Sequence, residues 1–153
     1  MVQPPTISRH LHPEDIPWIE RTLESGLVQK SKLLRCDPQA GEFTVMTQYP
    51  APHLLTPHYH SGAVHAYTVE GRWRYLEYDW VATSGSYVYE QPGTVHTLSI
   101  ELPTLAIFVV NGAIVNVSSE GAPTAILDAW TALDLYTKGL AAAGIELPDG
   151  IVV

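Results

Sequence analysis

Between residues 27 and 117 apolar side chains return at every second position, in short runs broken by glycine, proline and asparagine. That period belongs to a strand with one buried face, so this part of the chain is committed to β structure. Phe43, Val45, Thr47 and Tyr49 alternate with polar neighbours. Residues 64–69 lead to Glu70-Gly71, which reads as a turn. Residues 72–81 follow as a further strand, carrying Trp73, Tyr75, Tyr78 and Trp80. Thr83-Ser84-Gly85 and Gln91-Pro92-Gly93 punctuate the next runs, and Leu102-Pro103 divides 96–100 from 105–110. Asn111-Gly112 sits between two β-branched runs and predicts a tight hairpin, because both residues tolerate positive φ. Strands spaced roughly ten residues apart point to a sandwich or barrel, and no strand–helix alternation calls for a parallel sheet.

The two flanks have a different period. Pro13-Glu14-Asp15 ahead of a short amphipathic run predicts a brief N-terminal helix, with Gly26 as its stop. Over 123–143, Ile126, Leu127, Trp130, Leu133, Tyr136 and Leu140 follow helical spacing. Asp128 lies early in that helix, Lys138 near its end and Gly144 just past it. The expected organisation is one domain over 1–153, with the barrel at about 27–117 and the C-terminal helix at about 123–143.

Composition removes several function classes. Eight Lys and Arg against 16 Asp and Glu leave a net charge of −8, the wrong sign for gripping phosphates, so no nucleic-acid partner is expected. No apolar stretch is long enough to span a membrane, so no membrane association is expected. The start, Met1-Val2-Gln3-Pro4-Pro5, lacks the features of a leader, and the single cysteine, Cys36, cannot form an internal disulfide. A cytoplasmic protein is expected. Cys36 also lacks an activating His-Asp context, so nucleophilic catalysis has no support.

The histidines carry the chemical signal. Four of the seven fall within 53–65, and His96 follows the Gln91-Pro92-Gly93 turn. On a helix, His58 and His60 would point about 200° apart. On a strand they share a face, with Tyr59 turned away, and both reach one cation. His96, arriving from across the barrel, completes a three-nitrogen set, and imidazole is the commonest metal ligand.

These two segments resemble the paired signature motifs of the cupin superfamily. Pro57-His58-Tyr59-His60 through Glu70-Gly71 matches the first, and Gly85 through His96 the second. Pro92 sits one place later than usual, and the glutamate that normally follows the His pair is replaced by Val64 and His65. The resemblance implies an all-β fold, the cupin double-stranded β-helix or jelly-roll barrel, with the short N-terminal and longer C-terminal helices as additions. The run from His58 to Trp80, continued by 92–98, resembles the 2,4'-dihydroxyacetophenone dioxygenases over at least residues 50–100. Acetylacetone dioxygenases and the cupin half of a zinc-dependent anti-sigma factor are more distant likenesses.

The resemblance implies non-haem iron(II) on His58, His60 and His96, with O₂ as co-substrate and a small carbonyl compound as substrate. The activity implied is a dioxygenase, an oxidoreductase cleaving a C–C bond in a hydroxyketone or β-diketone-like molecule. Zn, Ni or Mn are alternatives that the same donors accept. Three neutral ligands leave the cation's charge uncompensated, which favours an enolate chelate and calls for a proton acceptor. Glu90 matches an outer glutamate of acetylacetone dioxygenases and is the first candidate for base or orienting partner; Glu77, on the 72–81 strand, is the second. Burial near Tyr87 and Tyr89 is expected to raise the Glu90 pKa, with the metal opposing. His65 stays open between a fourth ligand, an outer donor, a substrate contact and a backbone-bonded core residue. His53 reads as structural, and His10 and His12 as solvent-facing. Trp73, Tyr75 and Trp80 are either pocket walls or core fillers. Two other functions stay open: a non-catalytic metal-binding cupin acting as sensor or regulator, and a cupin isomerase or lyase. A homodimer or homotetramer is expected.

Overall fold

A computed structural model describes residues 8–153, so the opening segment read above for a leader lies outside the described residues. The strands in chain order are Ile19–Thr22 (β1), Val28–Asp37 (β2), Glu42–Tyr49 (β3), His53–Leu54 (β4), His58–His60 (β5) and Val64–Tyr75 (β6). Ala82–Thr83 (β7), Tyr87–Glu90 (β8), Leu98–Asn111 (β9), Ile114–Val117 (β10) and Pro123–Leu127 (β11) follow, and Ala129–Ala142 forms the helix α1. The larger sheet runs β1-β2-β3-β9-β6-β7, with β4 added on β9 and β8 on β6; the smaller is β11-β10-β5. All these pairings are antiparallel, the all-β jelly-roll arrangement expected. Phe43, Trp73, Tyr75, Ile100 and Val110 fill the core, and Tyr136 and Leu140 seat α1 against it.

The N-terminal helix is a single 3-10 turn, Pro13–Asp15, and the run after it is β1 instead of more helix. Pro17 explains the early stop, since it lacks an N–H and disfavours a helical residue before it. At the other end, Pro123–Leu127 is also strand, so α1 starts later than its apolar spacing suggests. Asp128 caps it, accepting from the Thr131 N–H at 2.8 Å and from the Thr131 hydroxyl at 2.8 Å. Gly144, at φ 71°, closes it: its N–H reaches the Ala141 carbonyl while that of Ile145 reaches Leu140.

Two expected breaks are not breaks, and an expected hairpin is a passage between sheets. β6 runs straight through Glu70-Gly71 and β9 through Leu102-Pro103, and the two pair along their length with register shifts between Thr68 and Trp73. These bulges bend both strands together. A side chain on Gly71, at φ +108°, would run into Thr104 and the Pro103 carbonyl, so this crossing needs glycine. Asn111-Gly112 makes no hairpin, because β9 and β10 belong to different sheets. The turn instead passes the chain from one sheet to the other. The Asn111 side-chain amide donates to the Ala63 carbonyl at 3.0 Å to hold it. The 72–81 strand ends at Tyr75, which places Glu77, Tyr78 and Trp80 in a loop.

Candidate metal centre

β5 alternates buried, half-buried, buried over His58, Tyr59 and His60, so both histidines face inward as the strand period predicted. His96 is brought opposite His58 by reciprocal backbone hydrogen bonds, His58 N–H to His96 carbonyl at 3.0 Å and the reverse at 2.9 Å. Directly opposed residues project to one side of a sheet, so this clip gathers the three rings. Ring centroids stand 4.7 Å apart for His58 and His96 and 5.1 Å for each of the other two pairs. One ring nitrogen from each lies within 4.8 Å of the others. Their exposures are 6%, 3% and 2%.

The protonation of the rings suits a cation. His58 Nδ1 lies 2.9 Å from the Thr56 carbonyl, which only accepts, so Nδ1 carries the proton and Nε2 keeps its lone pair. Burial holds His96 down to about 4, outweighing the attraction of Glu90. Burial likewise lowers His58, against the Thr56 bond. Both are therefore neutral near neutral pH, the form that binds metal.

Glu90 stands beside the trio. It faces inward on β8 at 4% exposure, its Oε1 accepting from the Tyr75 hydroxyl at 2.5 Å. Its Oε2 lies 2.5 Å from His60 Nε2 and 3.7 Å from His96 Nε2. The short approach lacks the alignment of a hydrogen bond: Glu90 Oε2, both nitrogens of His60 and His96 Nε2 are all buried without a hydrogen-bond partner. Polar atoms so placed are costly unless something satisfies them together. Donor atoms converging in this way fit a divalent cation, held by His58, His60 and His96 with one carboxylate at its side. Three neutral imidazoles and one carboxylate leave a dication with a net positive charge.

Tyr75 completes the group. Its ring stacks on His96 at 3.8 Å between centroids and an angle of 11°. Burial, then the charge of Glu90, pushes its phenol well above the ordinary value. The Glu90 carboxyl moves opposite to expectation: burial pushes it up, but His60, Tyr75 and His96 together outweigh this and hold it below its usual value. Tyr87 and Tyr89, expected around it, face away on β8 and are half-exposed.

Glu77 is exposed in the loop after β6 and does not join the cluster. Its Oε2 accepts from the Thr97 N–H at 2.8 Å, bracing the residue next to His96. Partial burial raises its pKa, but the Thr97 bonds and nearby His96 bring it below the usual value. His65 alternates with the buried Val64 and Ala66 and so faces outward; its Nδ1 is hydrogen-bonded to the Tyr87 hydroxyl at 2.6 Å. That placement rules out a fourth ligand. His10 and His12 are exposed as expected, and His53 is half-buried on β4. The Cys36 thiol donates to the Ala129 carbonyl at 3.2 Å, a packing role.

The role of Tyr75 was not read from the sequence. Unbroken alternation from Val64 would turn Tyr75 outward; the bulges at 68–73 reverse the parity and bring it in. Two cavities meet at the cluster. Tyr75, Glu90 and His96 line one of about 450 Å³. Tyr75, His58 and His60 line another of about 1120 Å³.

Comparison with known proteins agrees with this fold. Residues 8–115 match the ChrR cupin-like domain family. An RmlC-like cupin protein from Ralstonia eutropha is 32% identical, covering 94% of this chain and 93% of its own, at a TM-score of 0.86. An acetylacetone dioxygenase from Acinetobacter johnsonii shares the fold at 14% identity, with coverage of 91% and 96% and a TM-score of 0.74. The anti-sigma factor ChrR of Rhodobacter sphaeroides, solved in complex with SigE, is 18% identical, with coverage of 65% of this chain and 52% of that one and a TM-score of 0.52. No curated protein matches the sequence. The reciprocal clip between His58 and His96 thus sits in a chain that belongs to the ChrR cupin-like domain family, within the cupin superfamily.

Proposed function

We propose that this protein is a non-haem iron(II) dioxygenase that cleaves a C–C bond beside a carbonyl in a hydroxyketone or β-diketone-like substrate. One observation carries the reading: three buried imidazoles converge beside a carboxylate, and His60, His96 and Glu90 each keep a buried atom there without a hydrogen-bond partner. The dioxygenase among the structural neighbours supports it further. Bound iron would act as Lewis acid toward a chelating enolate and deliver electrons to O₂. His58, His60 and His96 would hold it, leaving one side free, as facial three-ligand sites do.

The chain's own residues handle the proton and the geometry. The Glu90 carboxyl, below its usual pKa, is ionised and ready to accept the proton lost when the ketone enolises. The Tyr75 hydroxyl holds Glu90 Oε1, which leaves Oε2 directed at the rings. Stacking on Tyr75 fixes the plane of His96. Cleavage of a hydroxyketone by one O₂, with both oxygen atoms retained, yields two carboxylic acids. Each carbon of the broken bond gains one oxygen, and no external reductant is required.

The test uses protein purified without oxygen and loaded with iron(II). An oxygen electrode and product analysis should record one O₂ consumed per ketone cleaved. Binding of hydroxyketones and diketones with no O₂ uptake from any of them would sink the proposal. The family match to ChrR favours a second reading, a metal-binding regulatory module, for which that same outcome is expected.

A further inference from the structure

The larger cavity says more about the substrate than the metal ligands do. At about 1120 Å³ it lies beyond the roughly 300–1,000 Å³ of pockets for drug-sized ligands. A chelating head group alone would leave most of it to water standing against walls that are mainly apolar.

Its walls are built from the elements that present the ligands. In the smaller sheet His60 pairs with Ile114, and Ile114 with Leu127, forming one row on the inner face. His58 pairs with Asn116, and Asn116 with Ala125, forming the next row. One apolar row, Ile114 and Leu127, therefore leads from His60 across the sheet to the start of α1, beside the polar Asn116. Phe43, Val45 and Phe108 line the cavity from the larger sheet and Ala132 from the helix. Its charged lining residues are Glu20, Arg21 and Glu24, all exposed on β1 and the turn after it. Gly139 lets the helix settle on β1, since a Cβ there would meet Ile19 Cγ2 at 2.7 Å. No charge lines the wall between that rim and the histidines.

We infer that the substrate of this centre carries a long acyl chain, held in this cavity while its chelating oxygens sit at the histidines. The inference rests on the proposed ketone chemistry and narrows it: polar contacts fix the head, and apolar burial selects the tail. Each methylene taken from water into such a cavity tightens binding about fourfold.

The experiment measures binding, not turnover. Zinc-loaded protein, which does not activate O₂, is titrated calorimetrically with acetylacetone, hexanoylacetone and dodecanoylacetone. Affinity should climb with chain length by about threefold to fourfold per methylene over at least the first several carbons. Ala132→Phe, which narrows the cavity away from the ligands, should flatten the climb and leave acetylacetone binding unchanged. The wild-type series needs no variant, so a poorly folded Ala132→Phe protein does not spare the inference. If all three diketones bind equally, the tail pocket is refuted and the ketone reading stands. If acetylacetone does not bind while dodecanoylacetone binds with or without zinc, and Ala132→Phe weakens it, the ketone reading falls and the tail pocket stands.

Discussion

Glu90 Oε2 lies 2.5 Å from His60 Nε2 and both are buried without an aligned hydrogen bond, so a third group that draws on both offsets the cost of burying them. In the proposed reaction the residues around this contact divide by what they do. His58, His60 and His96 supply lone pairs, so His96→Ala should lower bound metal well below one equivalent, as elemental analysis would record. Glu90 is argued to move a proton, so Glu90→Gln should keep the metal while turnover falls about a hundredfold to ten-thousandfold, the usual worth of a general base. If Glu90→Gln lost its metal as His96→Ala does, the carboxylate would be a ligand and not a base. Tyr75 acts through Glu90 and His96 and is a positioning residue. Tyr75→Phe should leave KM close to wild type, lower kcat less than Glu90→Gln does, and shift the acidic limb of the kcat profile. Both readings of Tyr75 from sequence, core filler and pocket wall, describe where it lies; neither shows what its hydroxyl holds.

At the scale of elements, the site depends on bends that local patterns misstate. Gly71 lies inside a twelve-residue strand at a point where β9 crosses too closely for a side chain. Gly71→Ala should cost about 1–3 kcal/mol from overpacking, with added strain from its positive φ, and urea unfolding would measure it. Because the bend carries Tyr75 inward, the variant should also bind metal more weakly. Asp128→Ala, which removes the α1 cap, should cost about 1 kcal/mol and leave metal binding intact. These residues also show where reading from sequence stops. The inward face of His58 and His60 was legible because alternation over three residues needs no context. Gly71 and Asn111-Gly112 were read as a turn and a hairpin because a bulge, a sheet-to-sheet passage and a turn all use the same glycine conformation. Pro123–Leu127 was read as helix because Ile126 and Leu127 fit both periods, and only pairing with β10 decides between them.

For the whole molecule, the buried cluster ties folding to both metal and acid. A cation that binds only the folded barrel, supplied at about a hundred times its Kd, adds about 2.7 kcal/mol and should raise Tm by about 5–10 °C. A chelator should reverse that gain. The metal-free protein carries an acid dependence of definite sign. Burial lowers the His96 pKa from 6.5 to about 4, and it lowers His58 as well. Between those values the unfolded chain binds protons that the folded one refuses, so stability rises with pH and falls on acidification. The contribution is complete above about 6.5 and is lost progressively as pH drops toward about 4. Glu90, also held below its ordinary value, extends the loss in the same direction at lower pH, because its folded-state carboxylate must then be protonated. Urea midpoints of the metal-free protein should therefore decline steadily across that interval. His96→Gln removes the titrating ring, so its decline should be shallower than wild type. Equal slopes in the two proteins would show that His96 is not the group that couples acid to unfolding.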